Sequence, residues 1–339
     1  MKPSNSKSPC YTTRRCKDYD AKHIGKSLYA LAVARGLHAQ KVLHGTGIFL
    51  NDLEGDTRIS VRQLLALSSN VQKQSNGHDI SFLLGRYLVE TLDPDVLISL
   101  KSARNIEQCL RLISIFNAQY FPFMSAHKFG DEKTVHLLLQ EAHSLEKQKQ
   151  FYTEAACSAM MALLTECFGR RLKCSFCFPF SKPRHIYEYE ESLGYRLSFS
   201  HAYLSIEISK AEMRAPCEQA NPRLMRYALA KALPQKRCSA SIVDKVRSHL
   251  RSQPQATLPE VAQRFDVSAA TLKRILHEQG FSFQHIRDEL RRQEALYYLQ
   301  VKKLKNEQSA QKMHFNDVTN FRRAVKRWTG LTPSQLRGA

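Results

Sequence analysis

The spacing of apolar residues predicts helices through most of this 339-residue chain, and the clearest pattern covers residues 257–280. Each of two short runs there places its apolar side chains on one helical face: Leu258, Val261, Ala262 and Phe265, then Leu272, Ile275 and Leu276. Thr257 and Ser268 stand where the two helices would begin, as capping residues do. The stretch predicts two short helices joined by a tight turn, in which Asp266 adopts the left-handed conformation.

Two helices joined in this way are typical of a helix-turn-helix, whose second helix enters the major groove of DNA. The outward positions of that second helix would face base edges or phosphates: Ser268, Ala270, Thr271, Lys273, Arg274 and His277. A helical hairpin in a domain without a nucleic-acid partner would show the same spacing, so both interpretations remain open on this stretch alone.

A long amphipathic helix over residues 281–300 follows, and after it comes a second, weaker helical pair. Residues 309–313 form its first segment, and Asp317 can cap a second segment that runs to Trp328. That last segment is crowded with basic side chains suited to phosphates and groove edges: Arg322, Arg323, Lys326 and Arg327.

The remainder of the chain divides by composition. Residues 1–22 are polar and charged and predict a disordered basic arm. Residues 23–213 combine helical stripes with short strand patterns, which predicts an α+β domain; one stripe (Ile106, Leu110, Ile113, Phe116) is interpreted as core. Residues 214–240 contain prolines and little to bury, so we expect a linker, followed by an all-helical domain over 241–339.

Charge supports a polyanionic partner for the C-terminal part. The chain has a net charge of +20, and residues 240–339 hold 18 Lys/Arg against 9 Asp/Glu.

No run of 18 apolar residues and no secretory signal is present, so a cytoplasmic protein without membrane association is expected. The sequence has no catalytic triad, paired carboxylate site or phosphate loop, and we expect no enzyme activity, cofactor or metal.

An alternative function rests on Cys174 and Cys177, a CxxC pair among nine cysteines. With Cys167 the pair could form a redox or metal sensor attached to an accessory DNA-binding domain. Zinc requires four ligands and no second such pair follows, and the same segment also has the pattern of a buried strand. Nearby aromatic residues fit a ligand pocket or plain core equally: Phe176, Phe178, Tyr187, Tyr195, Phe199 and Tyr203.

The C-terminal hundred residues resemble the DNA-binding domain of the AraC/XylS family of bacterial transcription regulators. The residues that carry the resemblance lie in 262–276, in 280–283, along the long helix at Arg291, Ala295 and Leu299, and in the closing run 321–330 with Thr332, Pro333 and Arg337. The resemblance implies seven helices, with two helix-turn-helix units on a long bridging helix that enter successive major grooves. It implies DNA contacts by Ala270, Thr271, Lys273 and Arg274 in the first unit and by Thr319, Asn320, Arg322 and Arg323 in the second.

Arg323 could instead pack within the domain. This sequence also departs from the family pattern at Ser309, where a buried isoleucine is usual, at His314, where the turn prefers glycine, and at Val325, where phenylalanine is usual. The smaller side chains at two core positions predict looser packing of the second unit.

Residues 24–225 resemble the arabinose-binding-type sensor domain of regulators of the ornithine-utilisation kind, chiefly through residues 47–67, 84–90 and 193–208. The resemblance implies an effector-binding or dimerising domain. The expected partners are therefore double-stranded promoter DNA, a small-molecule effector, RNA polymerase and a second copy of the chain. The residues that would bind an effector are not indicated.

Overall fold

The computed structural model describes residues 11–233 and 239–338, which form two compact units. The first unit lies within residues 11–129 and 133–241, and the second is formed mainly by residues 242–338. The first contains helices around a sheet, and the described part of the second is helical. The predicted fold class, α+β followed by all-α, is confirmed.

The helices of the first unit are α1 Lys26–Ala34, α2 Ala39–Leu43, α3 Leu50–Glu54, α4 Val61–Gln74, α5 Ile80–Glu90, α6 Pro94–Lys101, α7 Ile106–Tyr120, α8 Lys149–Phe168, α9 Ile186–Leu193, α10 Lys210–Arg214 and α11 Pro222–Ala232. A π-helical turn, Ala21–Gly25, precedes α1, and a 3₁₀ turn, Glu146–Gln148, precedes α8. The strands are β1 Tyr19–Asp20, β2 Arg58–Ile59, β3 Met124–Gly130, β4 Thr134–Glu141, β5 Cys174–Cys177, β6 Leu197–Ser198 and β7 Ser205–Ser209.

Five strands form one sheet in the order β3-β4-β7-β5-β6. Strand β7 pairs antiparallel with β4, where Thr134 lies opposite Ser209, and with β5, where Cys174 lies opposite Ile208. Strands β5 and β6 are parallel. Strand β4 is buried along nearly its whole length, as expected of a strand inside a sheet covered by helices.

Helices α5 and α8 pack closely because Gly85 lies at their contact. A Cβ atom at this position would be 2.7 Å from both the Ala159 nitrogen and the Ser158 Cβ, which is closer than packed atoms approach. Glycine therefore allows the two helix backbones to approach each other. Helices α5 and α8 therefore pack directly on each other within the first unit.

The prediction of a disordered arm over residues 1–22 is wrong for its described part. Tyr19 is only 1% exposed, and β1 pairs antiparallel with β2, so that Tyr19 lies opposite Ile59. One buried aromatic side chain and one pair of two-residue strands hold this polar segment in place, and composition alone does not reveal them. Residues 1–10 lie outside the described part of the chain.

The predicted linker over residues 214–240 also has defined structure. Cys217 N donates to the Arg104 carbonyl at 2.9 Å, Asn221 N donates to the Ser102 carbonyl at 3.1 Å, and α11 packs against α6. Asn221 caps α11 by accepting from Leu224 N at 3.0 Å. Pro222 is the first residue of α11, and Pro216 forms an isolated bridge with Asn105. Residues 234–238 lie outside the described part.

The second unit has the seven helices that the family resemblance implied, counted over residues 242–338. They are α12 Ile242–Ser252, α13 Leu258–Gln263, α14 Ala269–Glu278, α15 Phe283–Leu296, α16 Asn306–Lys312, α17 Val318–Thr329 and α18 Pro333–Gly338. Helix α15 continues into a π-helical turn, Tyr297–Val301, so that one long helical rod separates α13 and α14 from α16 and α17.

Candidate nucleic-acid interface

Helices α13 and α14 form the first helix pair. Glu260 Oε2 accepts from Thr257 N at 2.7 Å and from Thr257 Oγ1 at 2.9 Å, which fixes the start of α13. Ser268 Oγ accepts from Thr271 N at 3.1 Å and caps α14. Asp266 has a φ of 55°, so the predicted left-handed turn residue is confirmed. This is the geometry of a helix-turn-helix.

Helices α16 and α17 form the second helix pair by the same local rules. Asp317 Oδ2 accepts from Asn320 N at 3.0 Å and caps α17. His314 has a φ of 58°, and the next residue, Phe315, donates its N–H to the Ala310 carbonyl at 2.9 Å. Such a bond, which closes the end of a helix over a left-handed residue, defines a Schellman turn.

The second helix of each pair buries one face and presents a polar, basic face to solvent. Helix α14 buries Leu272 and Leu276, and α17 buries Phe321, Ala324 and Val325. The exposed stripes recur at helical spacing and consist of Ala270, Lys273, Arg274 and His277 on α14 and of Thr319, Arg322, Arg323 and Lys326 on α17. Each stripe presents side chains of the kind that bind phosphates or base edges.

The remaining predicted contact residues lie at the starts of these two helices. Ser268 and Asn320 are exposed, and Thr271 is half-buried with its Oγ1 2.9 Å from Ser268 Oγ. A recognition helix contacts base edges mainly through its N-terminal residues. The structure thus places every sequence-predicted contact residue on or beside the exposed face of α14 or α17.

Two of the arginines have distinct surroundings. Arg274 Nη1 lies 3.1 Å from Glu278 Oε1 on the exposed surface, a pair of the kind that contributes at most about 0.5 kcal/mol. Arg323 is exposed, so the interpretation of it as a packed framework residue is not supported. Both guanidinium groups are therefore accessible to a ligand. Because the ion pair with Glu278 is weak, Arg274 could leave Glu278 for an anionic ligand with little loss of free energy.

A buried arginine lies between α12 and α15 of the second unit, and the helical spacing of apolar residues did not predict it. Arg247 on α12 is 1% exposed; its Nη2 lies 3.0 Å from Glu289 Oε2 on α15, and its Nη1 lies 3.4 Å from Asp244 Oδ1. The guanidinium also lies over the Phe281 ring, 5.3 Å from its centroid. Burial and the charge of Arg247 lower the pKa of neighbouring Arg251 to about 10. In the sequence, the one sign of this cluster is that Arg247, a basic residue, stands among the apolar positions of α12.

Two of the three departures from the family pattern fall at buried positions of the second helix pair, whereas His314 is exposed. Ser309 and Val325 are both fully buried, where larger apolar residues are usual. Within the described part of the chain, Ser309 Oγ has no hydrogen-bond partner. A buried hydroxyl without a partner lowers stability. The core of the second helix pair therefore contains a hydroxyl group without a partner among the described residues, in addition to side chains that are smaller than usual at two positions.

The cysteine pair does not form the site that the alternative function requires. Cys174 and Cys177 are buried on β5, three residues apart and so on opposite strand faces. Burial raises the pKa of the Cys174 thiol to about 12 and that of Cys177 to about 11, which disfavours the thiolate needed for metal binding or redox chemistry. In the described ranges, no three His, Cys, Asp or Glu side chains cluster as metal ligands would.

The aromatic residues considered for a ligand pocket differ in burial, and Phe199 and Tyr203 are half-buried. Phe176 and Phe178 belong to the buried core, whereas Tyr187 and Tyr195 are 60% and 84% exposed. An apolar cavity of the first unit lies elsewhere, against α7 and α8. Part of the α7 stripe interpreted as core, including Leu110 and Ile113, lines that cavity. Periodicity does not distinguish an apolar side chain that faces core from one that faces a cavity.

Residues 36–217 match the family model of the arabinose-binding domain of AraC transcription regulators, N-terminal, and residues 261–339 match a helix-turn-helix domain model. The chain belongs to the AraC family of transcription regulators. Both sequence resemblances, that of the C-terminal domain and that of the N-terminal domain, are confirmed by these matches.

Individual relatives are regulators as well. The ornithine utilization regulator of Pseudomonas aeruginosa is 28% identical over 173 residues, 48% of this chain and 49% of that protein. The HTH-type transcriptional regulator VirS of Mycobacterium tuberculosis is 26% identical over 153 residues, 44% of this chain and 45% of that protein. The chain spans about half the length of the curated relatives it matches.

Among solved structures, the transcriptional regulator CdpR from Pseudomonas aeruginosa is 18% identical and covers 93% of this chain and 98% of its own, with a TM-score of 0.44. The C-terminal domain of AraT, a response regulator from Geobacillus stearothermophilus, is 28% identical and covers 29% of this chain and 84% of its own, with a TM-score of 0.26.

Among the helices of residues 11–233 and 239–338, none combines the length and apolarity needed to cross a bilayer.

Proposed function

We propose that this chain is an effector-responsive transcription regulator that binds promoter DNA through α14 and α17. The observation that carries the proposal is the repetition of one arrangement: each helix pair has a capped second helix with an exposed basic stripe. An ordinary helical hairpin does not require two such stripes in one small unit. The family to which the chain belongs supports the same function.

The proposed roles follow from side-chain chemistry. Lys273 and Lys326 bind phosphates as point charges, whereas Arg274, Arg322 and Arg323 can donate two hydrogen bonds to a guanine edge or a phosphate. The smaller residues at the helix starts approach the bases directly: Ser268, Ala270, Thr271, Thr319 and Asn320. Phosphate contacts supply most of the affinity, and the base contacts supply the sequence preference.

The first unit is proposed to sense the effector. A small molecule that binds one arrangement of the protein more tightly than another shifts the population toward that arrangement, and thereby changes promoter occupancy. Pairing of two copies through this unit, and contact of the DNA-bound protein with RNA polymerase, complete the proposal. With DNA as its partner, the protein would act in the bacterial cytoplasm.

Genome-wide occupancy of the tagged protein tests the proposal. We expect sharp promoter peaks for the wild type, and loss of those peaks in Lys273→Ala/Arg274→Ala and in Arg322→Ala/Arg323→Ala. The matched control is Lys41→Ala/Lys73→Ala, which removes the same charge from exposed positions of the first unit. Peaks that survive both recognition-helix variants, or disappear equally in the control, would contradict the assigned roles.

Binding to a promoter fragment from one such peak supplies an independent check. Removal of one lysine–phosphate interaction reduces the slope of log K against log salt by about 1, so Lys273→Ala should flatten the salt dependence by that amount. Removal of a base interaction by Arg322→Ala should weaken specific binding by roughly 1–3 kcal/mol and relax the preference at one position. A wild-type affinity that does not change with salt would overturn DNA binding through these stripes.

A further inference from the structure

A cavity of about 400 Å³ lies in the first unit, bounded by α5, α6, α7, α8 and the β3-β4 side of the sheet. Its lining is mostly apolar and includes Leu110, Ile113, Phe116, Leu139, Ala156 and Met160. Protein interiors leave few voids larger than a water molecule. Space for roughly a dozen water-sized groups, at ~30 Å³ each, is the size of a small-molecule site rather than of a packing defect.

The polar groups along the cavity wall are mostly engaged by the protein itself. Asn117 Nδ2 donates to the Met124 carbonyl at 2.7 Å, and Ser114 Oγ donates to the Arg111 carbonyl at 2.7 Å. Both groups therefore have a partner before any ligand arrives. The wall offers few hydrogen bonds to a ligand that carries many hydroxyl or ammonium groups.

His23 is a buried polar residue of this wall, and it lies in the π-helical turn that precedes α1. Its Nδ1 lies 3.1 Å from Thr91 Oγ1, and its Nε2 has no hydrogen-bond partner in the described part of the chain. Burial lowers the pKa of the imidazole to about 4, so the ring is neutral at pH 7. Single π-helical turns inside helical segments occur often at functional sites.

Charged side chains mark the place where the cavity meets solvent. Lys128 Nζ and Arg111 Nη2 both approach Glu107 Oε1, at 2.9 Å and 3.1 Å, and the two cations hold the pKa of that carboxyl below its usual range. Arg111 and Lys128 are 66% and 49% exposed. One carboxylate between two cations leaves an excess positive charge, which favours an anionic group at this edge.

We propose that this cavity is the effector site and that the effector is an apolar molecule with a single anionic group. Its apolar body contacts the α7 and α8 side chains, and its anionic group binds Arg111 and Lys128. The inference rests on the proposed sensing role of the first unit. Sugars and diamino acids are disfavoured, because their hydroxyl or ammonium groups would be buried against apolar side chains without partners.

Binding to the purified 339-residue chain tests this assignment. The fluorescent probe is 1-anilinonaphthalene-8-sulfonate, itself an apolar anion, and loss of its fluorescence reports displacement by a competing compound. The test compounds are decanoate and 2-naphthoate. The comparison compounds are decan-1-ol, L-arabinose and L-ornithine. We expect at least one of the two carboxylates to displace the probe at a concentration roughly tenfold below that of decan-1-ol, and no displacement by the sugar or the diamino acid.

Variants then locate the binding. Ala156→Phe and Ile113→Phe each fill the cavity and should weaken the carboxylate roughly tenfold or more, whichever of the two retains the wild-type melting temperature. Arg111→Gln/Lys128→Gln should weaken the carboxylate but not decan-1-ol, whereas the exposed pair Lys41→Gln/Lys73→Gln should change neither.

Three results would overturn the inference: wild-type affinity in both filled variants, equal affinity for the alcohol and the carboxylate, or no displacement of the probe by either carboxylate. Promoter binding is measured on the same preparation. If promoter binding persists while ligand binding fails, the effector assignment falls and the proposed regulatory function stands.

Discussion

Asp266 and His314 occupy the same place in the turns of the two helix pairs, with φ angles of 55° and 58°. In each turn the residue that follows donates its N–H to an alanine carbonyl five positions earlier, Ala262 in the first turn and Ala310 in the second. Both alanines are buried where the helices cross. The turn is therefore closed by a backbone geometry that glycine would adopt most easily, although neither turn contains glycine.

The left-handed conformation at His314 should decide which substitutions the second turn tolerates. We expect His314→Val to lower the free energy of unfolding by about 1–2 kcal/mol, because a β-branched residue is strained at positive φ. His314→Gly should change it by less, since relief of strain offsets the greater freedom of the unfolded chain. Trp328 is the single tryptophan of the chain and lies beside Phe315, so its fluorescence in urea reports this unit. Equal effects of the two substitutions would contradict the strained turn.

Removal of the buried hydroxyl of Ser309 should stabilise the second helix pair. Ser309→Ala eliminates an oxygen that is shielded from water and has no partner in the described residues, and we expect a gain of roughly 1 kcal/mol in the free energy of unfolding. Ser268→Ala is the matched comparison: its hydroxyl caps α14, so its removal should cost about 1 kcal/mol. The same tryptophan signal measures both. A loss of stability in Ser309→Ala would show that the hydroxyl has a partner in solution.

Gly85 should not tolerate even one added methyl group. Gly85→Ala places a Cβ against the α8 backbone, and we expect a loss of roughly 1–3 kcal/mol in spite of the better helix propensity of alanine. Gly77→Ala is the control, because there the added atom meets the carboxylate of Asp79, the end of a flexible side chain that can move. Calorimetry of the first unit's transition distinguishes the two, and similar melting temperatures would contradict the close α5–α8 approach.

Burial of His23 predicts a specific loss of stability in acid. The folded pKa of about 4 lies below the ordinary 6.5, so the unfolded chain takes up the proton first as the pH falls. The stabilisation is complete above pH 6.5 and is lost between pH 6.5 and about 4, by about 3 kcal/mol in total. The free energy of unfolding is measured by circular dichroism at pH 7 and pH 4.5. Between these two pH values, the His23→Gln variant should lose much less of it than the wild type. The exposed His38→Gln should decline like the wild type.

The C-terminal helix pairs could be predicted because their signals are local. Capping residues such as Ser268 and Asp317 act on backbone groups three positions away, and the buried faces follow helical spacing. The exposed residues of α14 and α17 follow from the same spacing. The partner of Arg247 could not be foreseen, because Glu289 lies 42 positions further along the chain.

The first unit was predicted only in outline, because its decisive contacts join distant segments. Tyr19 is buried against a strand near residue 59, and the helix over 222–232 packs on α6. Neither partner is visible in the composition of the polar segments themselves, which is why the sequence did not predict the structure of residues 11–22 and 214–232. The cavity likewise arises from side chains of several elements, each of which has the pattern of ordinary core.

The ion pair between Arg247 and Glu289 has a mechanical consequence. Helix α12 begins directly after Ser241, where the first unit ends, and Arg247 attaches it to α15, the rod that separates the two helix pairs. A force applied to the chain at Ser241 would therefore act on the buried ion pair between Arg247 and Glu289, which opposes movement of α12 along α15. Because α15 lies between the two helix pairs in the chain, a displacement of α12 would be passed to the helix that both pairs flank.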